Sequence, residues 1–251
     1  MSANFDKISY IYRLSHQLPW RQYIEHHTFF ELVGDITSKS VLDLACGDGF
    51  YSRKLKQLGA GKVRGVDISP EMIGLAQKEE EASPLGITYF VRDVTQLDLE
   101  EKFDLVVASY LLNYARTKEE LLRMCNAISR HLKPEGRLVS VNNELDQDPA
   151  SYEYMKKYGF TKSISGNLKE GTPITYHMYL EGMPTISFDN YYLKKETYES
   201  VFHSSGLHLL GWRRPVLSQS GKQKYDDEYW SSFFRNPPIV FIECRKDNAI
   251  L

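Results

Sequence analysis

The stretch Val41-Leu42-Asp43-Leu44-Ala45-Cys46-Gly47-Asp48-Gly49 decides the fold. It begins in a short apolar run, Ser40 to Leu44, of the length and character of a buried strand. The residues that follow are small and turn-forming. From Phe50 to Leu58 the apolar positions Phe50, Leu55 and Leu58 take up helical spacing, which Gly59 and Gly61 end. A strand thus delivers the chain through a tight loop into a helix. Small residues in such a loop let a ligand approach the backbone closely. The loop amides and the helix N-terminus can then bind its polar groups. One such turn is weak evidence by itself, and Gly47-x-Gly49-x-x-Ser52 also approximates the dinucleotide-binding fingerprint.

The same rhythm continues downstream. Lys62 to Asp67 (KVRGVD) predicts a second strand. The acidic residue at its end can accept hydrogen bonds from both hydroxyls of a ribose, or can simply cap the next helix. Ser69-Pro70-Glu71-Met72 opens that helix, with Ser69 at the N-cap and Pro70 at the first helical position. Ile87 to Val91 is a third strand and Phe103 to Ser109 an unbroken apolar fourth, as a buried parallel strand requires. Lys118 to Leu132 predicts a helix ended by Lys133-Pro134-Glu135-Gly136, and Arg137 to Asn142 a fifth strand. Five short alternations call for a parallel sheet with helices on both faces. Upstream, residues 5 to 33 read as helical with a break at Pro19.

After Asn143 the rhythm changes. Residues 144–193 are rich in tyrosine and punctuated by Gly and Pro, with candidate strands at Ile174 to Leu180 and Thr185 to Tyr192. A helix from Lys195 to Ser204 follows. Leu207 to Val216 and Ile239 to Cys244 can close the sheet as a final antiparallel pair, separated by a polar loop, Ser218 to Glu228, and an aromatic cluster.

Composition narrows the class. The 251 residues suffice for one α/β domain with a sizeable core, and 42% hydrophobic with 25% charged residues is ordinary for a soluble globular protein. Lys plus Arg is 31 against 33 acidic residues, a net charge of −2, so no basic excess points to nucleic acid. No apolar run approaches the ~20 residues of a membrane span, and the N-terminus lacks the apolar core of a secretory signal. Cys46, Cys125 and Cys244 are few, odd in number and far apart, which fits reduced cytosolic thiols better than disulfides or a zinc site. The expectation is a cytoplasmic protein without metal, monomeric by default. Of 17 tyrosines, eight fall between Tyr152 and Tyr198. Such a segment can line a pocket for a flat substrate or simply pack an inserted subdomain.

Three details separate the two cofactor classes that a glycine-rich turn allows. Asp43 lies inside the first strand, where a dehydrogenase normally has an apolar residue. Arg92-Asp93-Val94 follows the third strand, where an acidic side chain can contact an adenine amino group. Phe103-Asp104-Leu105-Val106-Val107 leads into Ala108-Ser109-Tyr110-Leu111-Leu112 at the end of the fourth. The ordered series VLDLACGDG, GVDIS, RDVTQL, FDLVVASYLLNYA and LKPEGRL resembles the motifs of class I S-adenosylmethionine-dependent methyltransferases over residues 36–143. It departs at Ala45, where the family commonly has its first glycine. The opening FDKISYIYRLSHQLPWRQYIE and the closing WSSFFRNPPIVFIECRK resemble bacterial small-molecule methyltransferases of the toxoflavin-pathway type, which act on ring nitrogens of a flat azapteridine.

The resemblance implies a Rossmann-like α/β three-layer sandwich with a mostly parallel seven-stranded sheet, a last antiparallel strand and an inserted Tyr-rich lid. The expected layout is one domain: a helical cap (1–35), a cofactor-binding core (36–143), a substrate-lid insertion (144–193) and the end of the sheet (194–251). The implied cofactor is S-adenosyl-L-methionine, with S-adenosyl-L-homocysteine as product. Carried over by motif, Asp43 orders the loop and approaches the methionine amino group through the backbone or water, and the backbone of Ala45 and Gly47 faces the methionine part. Asp67 holds the ribose hydroxyls, Ile68 and Met72 sandwich the adenine, Asp93 and Val94 meet its edge, and Ser109 or its neighbouring carbonyl binds the ammonium. Tyr12 and Arg21 close over the cofactor, Arg21 as a two-pronged partner for the carboxylate or else as a surface arginine.

Methyl transfer from a sulfonium is an in-line displacement in which the protein mainly supplies orientation and excludes water. Acceptor-site candidates are Tyr10, Tyr110, Asn143, Tyr176, His177, Trp230 and Phe234. Tyr110 and Asn143 sit at the carboxyl ends of strands, where α/β folds build their sites. His177 is the candidate base, although a lone histidine in a strand is more often structural. Trp230 and Phe234 share a helix face and fit core packing as well. The leading expectation is N-methylation of a small flat heteroaromatic compound. O-methylation of a phenol or carboxylate, a non-catalytic binding protein and a nicotinamide oxidoreductase are the alternatives.

Overall fold

The computed structural model describes residues 2–247. The chain opens with helix α1 (Ser2–Leu14), a 3-10 turn (Ser15–Gln17), a wide π turn (Arg21–Glu25) and α2 (His26–Val33). The break falls at Leu18, whose extended backbone is what the following Pro19 favours. Five strands and three α-helices then follow, with only a 3-10 turn (Val94–Gln96) between the third and fourth strands: β1 (Ser40–Leu44), α3 (Phe50–Gln57), β2 (Lys62–Asp67), α4 (Pro70–Ala82), β3 (Thr88–Val91), β4 (Phe103–Ser109), α5 (Lys118–His131) and β5 (Leu132–Asn143). Ser69 caps α4 by accepting from the amide of Met72 at 3.2 Å, with Pro70 in the first turn. β5 starts at Leu132, earlier than the Lys133–Gly136 break suggested. Leu132 already pairs with Phe103, and the next residues bulge before Arg137 rejoins the ladder opposite Leu105.

The main sheet has seven strands in the order β3-β2-β1-β4-β5-β10-β9, where β9 is Leu207–Arg213 and β10 is Ile239–Lys246. The first five are parallel, and β10 runs antiparallel to both β5 and β9. Successive residues of the inner strands serve opposite faces. Val41, Leu105, Val107, Val139 and Val141 pack with Phe29, Val33, Leu55 and Ile73. Leu42, Leu44, Val106, Ala108 and Leu138 pack with Leu121, Cys125 and Ile128 of α5 and with Tyr198 and Phe202 of α6 (Lys195–Ser204). Burial on both faces explains the unbroken apolar runs. All three cysteines are buried and free.

Residues 144–193 form a 3-10 segment (Pro149–Tyr158) and a separate antiparallel sheet of β6 (Phe160–Ile164), β7 (Pro173–Met178) and β8 (Ile186–Tyr191). Its inner face is aromatic. Tyr176 lies flat between Phe160 and Phe188, at ring distances of 6.0 and 5.7 Å, and Phe160 meets Trp20 of the N-terminal segment at 5.0 Å. The period of two puts Ile174, Tyr176 and Met178 inside and leaves Thr175 and His177 on the open face. Two short helices, α7 (Gln219–Lys224) and α8 (Asp227–Arg235), precede β10. No helix of the described residues is long and apolar enough to cross a membrane.

Candidate cofactor and acceptor site

The loop after β1 is held by backbone and side chain together. Cys46 donates to the carbonyl of Val66 at 3.0 Å and Gly49 to that of Cys46 at 3.0 Å. Gly47 and Gly49 both have positive φ. A Cβ on Gly49 would lie 2.6 Å from the Tyr89 hydroxyl and 3.1 Å from Ala76, so only glycine fits there. Ala45 takes φ +55°, a left-handed conformation that costs ~1–3 kcal/mol outside glycine and is found where surroundings enforce it.

Asp67 fixes the loop from the neighbouring strand. Its Oδ2 accepts from the Gly47 amide and its Oδ1 from the Ser69 amide, each at 2.9 Å, and the side chain is buried. A carboxylate oxygen can accept more than one hydrogen bond. Asp43 lies beneath the loop, fully buried, with Oδ2 accepting from Ser52 at 2.6 Å and Oδ1 without a partner. Burial, reinforced by the charge of Asp67, pushes its carboxyl up to about 7, against the hydrogen bond from Ser52. Asp48 faces the N-terminal segment, 3.4 Å from His16 and 3.7 Å from Arg13. Burial raises its carboxyl, but His16 and Arg13 outweigh that and hold it below the usual range.

A cavity of about 320 Å³ opens above the loop, at the C-terminal ends of β1, β2 and β4. Of the expected cofactor residues, Tyr12, Ala45, Gly47, Asp67, Ile68, Met72, Asp93, Val94 and Ser109 line it. The Ser109 hydroxyl is buried there with no partner in the chain, a polar atom awaiting one from a ligand. A cavity that brings together a carboxylate, apolar walls from Ile68, Met72 and Val94, and an orphaned hydroxyl fits an adenosyl amino-acid ligand. Asp43 does not line the cavity, so the approach expected toward a ligand amino group is not seen, and its hydrogen bond is to Ser52 beneath the loop. Arg21 also does not reach it. Its Nε donates to Glu25 at 3.0 Å and its Nη1 to Ser15 at 2.7 Å, so the pairing expected with a ligand carboxylate is replaced by a buried internal ion pair.

A second cavity of about 20 Å³ shares Tyr12, Tyr110 and Tyr114 with the first. Its other walls are Trp20, Arg21, Phe160, Tyr176, Phe188, Met178 and Ile239, with the amides of Asn143 and Asn190. Tyr176 donates to Asn143 Oδ1 at 2.6 Å, and Asn143 Nδ2 to Asn190 Oδ1 at 3.3 Å. Behind this wall Lys162 is buried, donating to Gln147 at 2.6 Å and to the carbonyl of Pro238 at 3.0 Å, its Nζ 4.9 Å from the Tyr176 ring. Burial pulls its amine down to about 7, against a small opposing effect of Glu144.

Of the seven acceptor-site candidates, Tyr110, Asn143 and Tyr176 meet at this second cavity. The other four do not. Tyr10 is 59% exposed on the outer side of α1. His177 points away from the cavity, bonded to Ser163 at 3.0 Å and Ser187 at 2.8 Å on the open face of the small sheet. Trp230 is packed flat on Tyr158 at 5.7 Å and donates weakly to the Gly221 carbonyl, and Phe234 packs beside Phe233. The strand period explains the placement of His177, and core packing that of Trp230 and Phe234. Reading the sequence missed Asn190, Tyr114 and a stretch of the larger cavity formed by Thr95, Leu111, Arg116, Glu120, Arg123 and Met124. The alternation in β8 that puts Phe188 and Asn190 on one side was a readable signal for Asn190. Among the described residues no group of three His, Cys, Asp or Glu side chains is placed to hold a metal.

Comparison with known proteins agrees with this geometry. A methyltransferase domain model matches residues 41–136. A demethylmenaquinone methyltransferase of Chlamydia muridarum is 28% identical over 222 residues, covering 85% of this chain and 87% of that protein. A ubiquinone biosynthesis O-methyltransferase of Xanthomonas oryzae pv. oryzae is 31% identical over 120 residues, but the chain spans only 48% of its length. Among solved structures, magnesium protoporphyrin IX methyltransferase from Synechocystis PCC 6803, with bound S-adenosylhomocysteine, superposes with a TM-score of 0.63 at 18% identity, covering 98% of each chain. The chain thus resembles methyltransferase domains over residues 41–136, the stretch that carries the loop after β1, and shares the fold of a solved methyltransferase over nearly its whole length.

Proposed function

We propose that the protein transfers the methyl group of S-adenosylmethionine to a ring nitrogen of a small, flat heteroaromatic acceptor. The observation that carries this is the second cavity: aromatic walls, two amide side chains, and a tyrosine partition against the larger cavity at the ends of β4 and β5. Flat rings stack on aromatic side chains, and an amide side chain offers both a donor and an acceptor to the edge of a nitrogen heterocycle. The resemblance of both chain ends to azapteridine N-methyltransferases points the same way. The cavity is too small in this state for such a ring, so binding requires Tyr12 and the small sheet to move apart, as lids do.

Bound S-adenosylmethionine supplies an activated methyl group. In our reading Asp67 accepts from the ribose hydroxyls, while Ile68 and Met72 enclose the adenine. Asp93 and Val94 meet the adenine edge. Ser109 and the backbone of Ala45 and Gly47 hold the amino-acid end, and Asp43 braces the loop from below. Tyr110, Asn143 and Tyr176 orient the acceptor. Closing the site excludes water, and orientation alone can lower a barrier by ~7–11 kcal/mol.

A second reading is O-methylation of a small phenol or carboxylate, favoured by the relative whose name is a ubiquinone biosynthesis O-methyltransferase. The two separate in one experiment: formation of S-adenosylhomocysteine from S-adenosylmethionine with a panel of flat nitrogen heterocycles and a panel of phenols. Turnover confined to the heterocycles is the expected result. Turnover confined to phenols overturns the nitrogen assignment.

A further inference from the structure

We propose that Tyr110 and Glu25 form a proton relay that removes the proton from an acceptor N–H or O–H as it is methylated. The inference rests on the proposed acceptor site. It asks something further, namely where the acceptor's proton goes.

Glu25 is fully buried behind the tyrosine partition. Three donors converge on it: Arg21 Nε at 3.0 Å, Tyr51 Oη at 2.5 Å and Tyr110 Oη. It lies on the wide π turn, a geometry often found at functional positions. A buried ion pair is a poor device for stability alone, since desolvation offsets its attraction. Tyr110 is the link to the site, because it lines both cavities. Its φ of +57° is left-handed, and its amide is tied to the Val141 carbonyl at 2.9 Å. Strain of this kind in a non-glycine residue marks a position fixed for use.

A phenol that donates to a carboxylate keeps its oxygen lone pairs for another donor. Burial and the Glu25 charge push the Tyr110 hydroxyl well above its ordinary range, so it is neutral and takes a proton only by handing its own on. The acceptor's proton passes to Tyr110 Oη while the phenol's proton passes to Glu25. The bond from the acceptor atom to the methyl carbon forms as the bond from sulfur to that carbon breaks. The sulfonium's positive charge and the carboxylate's negative charge disappear together, leaving a neutral thioether and a neutral Glu25. Arg21 has no lone pair to offer, and the amides of Asn143 and Asn190 are not bases.

The groups facing Glu25 are Arg21, Tyr12, Tyr51 and Tyr110, with His26 Nε2 at 3.7 Å and His16 and Asp48 beyond. Burial and Arg21 hold His26 neutral, pushed down to about 2, and push His16 down as well. Neither histidine is therefore a competing source of charge near neutral pH.

The test uses the full chain and the Tyr110→Phe and Glu25→Gln variants. Calorimetry gives S-adenosylhomocysteine affinity, and product formation is followed with lumazine, uracil and catechol. Lumazine is assayed both below and above the pH at which it ionises in solution. The expected result is a loss of about 10²–10⁴-fold in both variants at the lower pH, the range of general acid–base catalysis. Cofactor affinity should change by less than about fivefold, and the rate should recover where lumazine is already ionised. A merely structural role for Glu25 gives no such recovery. Loss without recovery, or retention of rate in both variants, overturns the relay and leaves the acceptor assignment standing. Loss and recovery with catechol alone supports the relay and overturns the nitrogen assignment. Turnover of none of the three by the unmodified protein overturns both.

Discussion

Asp67 gives the sharpest test of how the larger cavity holds its ligand. The carboxylate has two jobs in our account, stapling the loop through the amides of Gly47 and Ser69 and accepting from a ribose. Asp67→Ala removes both, so its effect on affinity alone is ambiguous. A double-mutant cycle separates them. S-adenosylhomocysteine and its 2′-deoxy analogue are titrated calorimetrically into the unmodified protein and into Asp67→Ala. The loop staples are lost equally with either ligand and cancel. What remains is the coupling between carboxylate and hydroxyl, expected at about 1.5–3 kcal/mol for a hydrogen bond to a charged, buried group. That corresponds to roughly 10–150-fold in affinity. The unmodified protein should therefore discriminate strongly against the deoxy ligand, and the variant should not. Asp67→Asn, which keeps an acceptor oxygen but not the charge, should fall between. If the two changes simply add, to within the ~0.3–0.5 kcal/mol typical of independent sites, the ribose assignment is wrong.

Other expectations are as direct. Asp43 is held protonated up to about pH 7, against ~4 in an unfolded chain, so its contribution to stability is present at low pH and is lost as pH rises through about 7. Asp43→Asn should lessen the fall in melting temperature between pH 5 and pH 8, and an unchanged slope would remove Asp43 as its source. At Gly65 an added Cβ would lie 2.5 Å from the Tyr89 ring and 3.0 Å from Cys46 Sγ. Gly65→Ala should destabilise by about 1–3 kcal/mol in denaturant unfolding, and a neutral result would show that Tyr89 moves aside freely. His177→Ala should leave S-adenosylhomocysteine affinity and methyl transfer within about twofold, because its imidazole bonds only serines of the outer face. A loss of a hundredfold would return the histidine to the site.

The main sheet and the larger cavity were legible because each strand end there has one covalent neighbour to act through. The residues after Leu44, Asp67, Val91 and Val107 project from parallel strands into the same crevice, so order along the chain translates directly into position around the ligand. The second cavity draws on elements with no such fixed relation. Besides Tyr110 and Tyr114 after β4, its walls come from the N-terminal segment, β5, β6, β7, β8 and the start of β10. Their meeting depends on how the small sheet docks, and no local pattern encodes that. Strand alternation was sufficient to turn His177 outward once β7 was placed, but β6 was unrecognised and Thr161-Lys162 conceals a buried lysine inside a polar-looking strand. Arg21 shows the same limit. Its residue type suggested a ligand carboxylate, whereas a glutamate four positions on, within a turn wider than an α-helix, had already taken that role.

The position of β10 has a consequence for biosynthesis. It is the last strand among the described residues yet lies between β5 and β9. Until residues 239–246 are made, β5 offers an unpaired edge and β9 has no neighbour in the main sheet. The N-terminal segment is made first, but Trp20 packs on Phe160 and Phe233, and Tyr12 on Phe188. At ~5–20 residues per second, the helices of that segment wait roughly 10–40 s for their partners to be synthesised. During that interval their apolar faces are open to whatever the ribosome's surroundings provide, and the site closes only when both ends of the chain arrive.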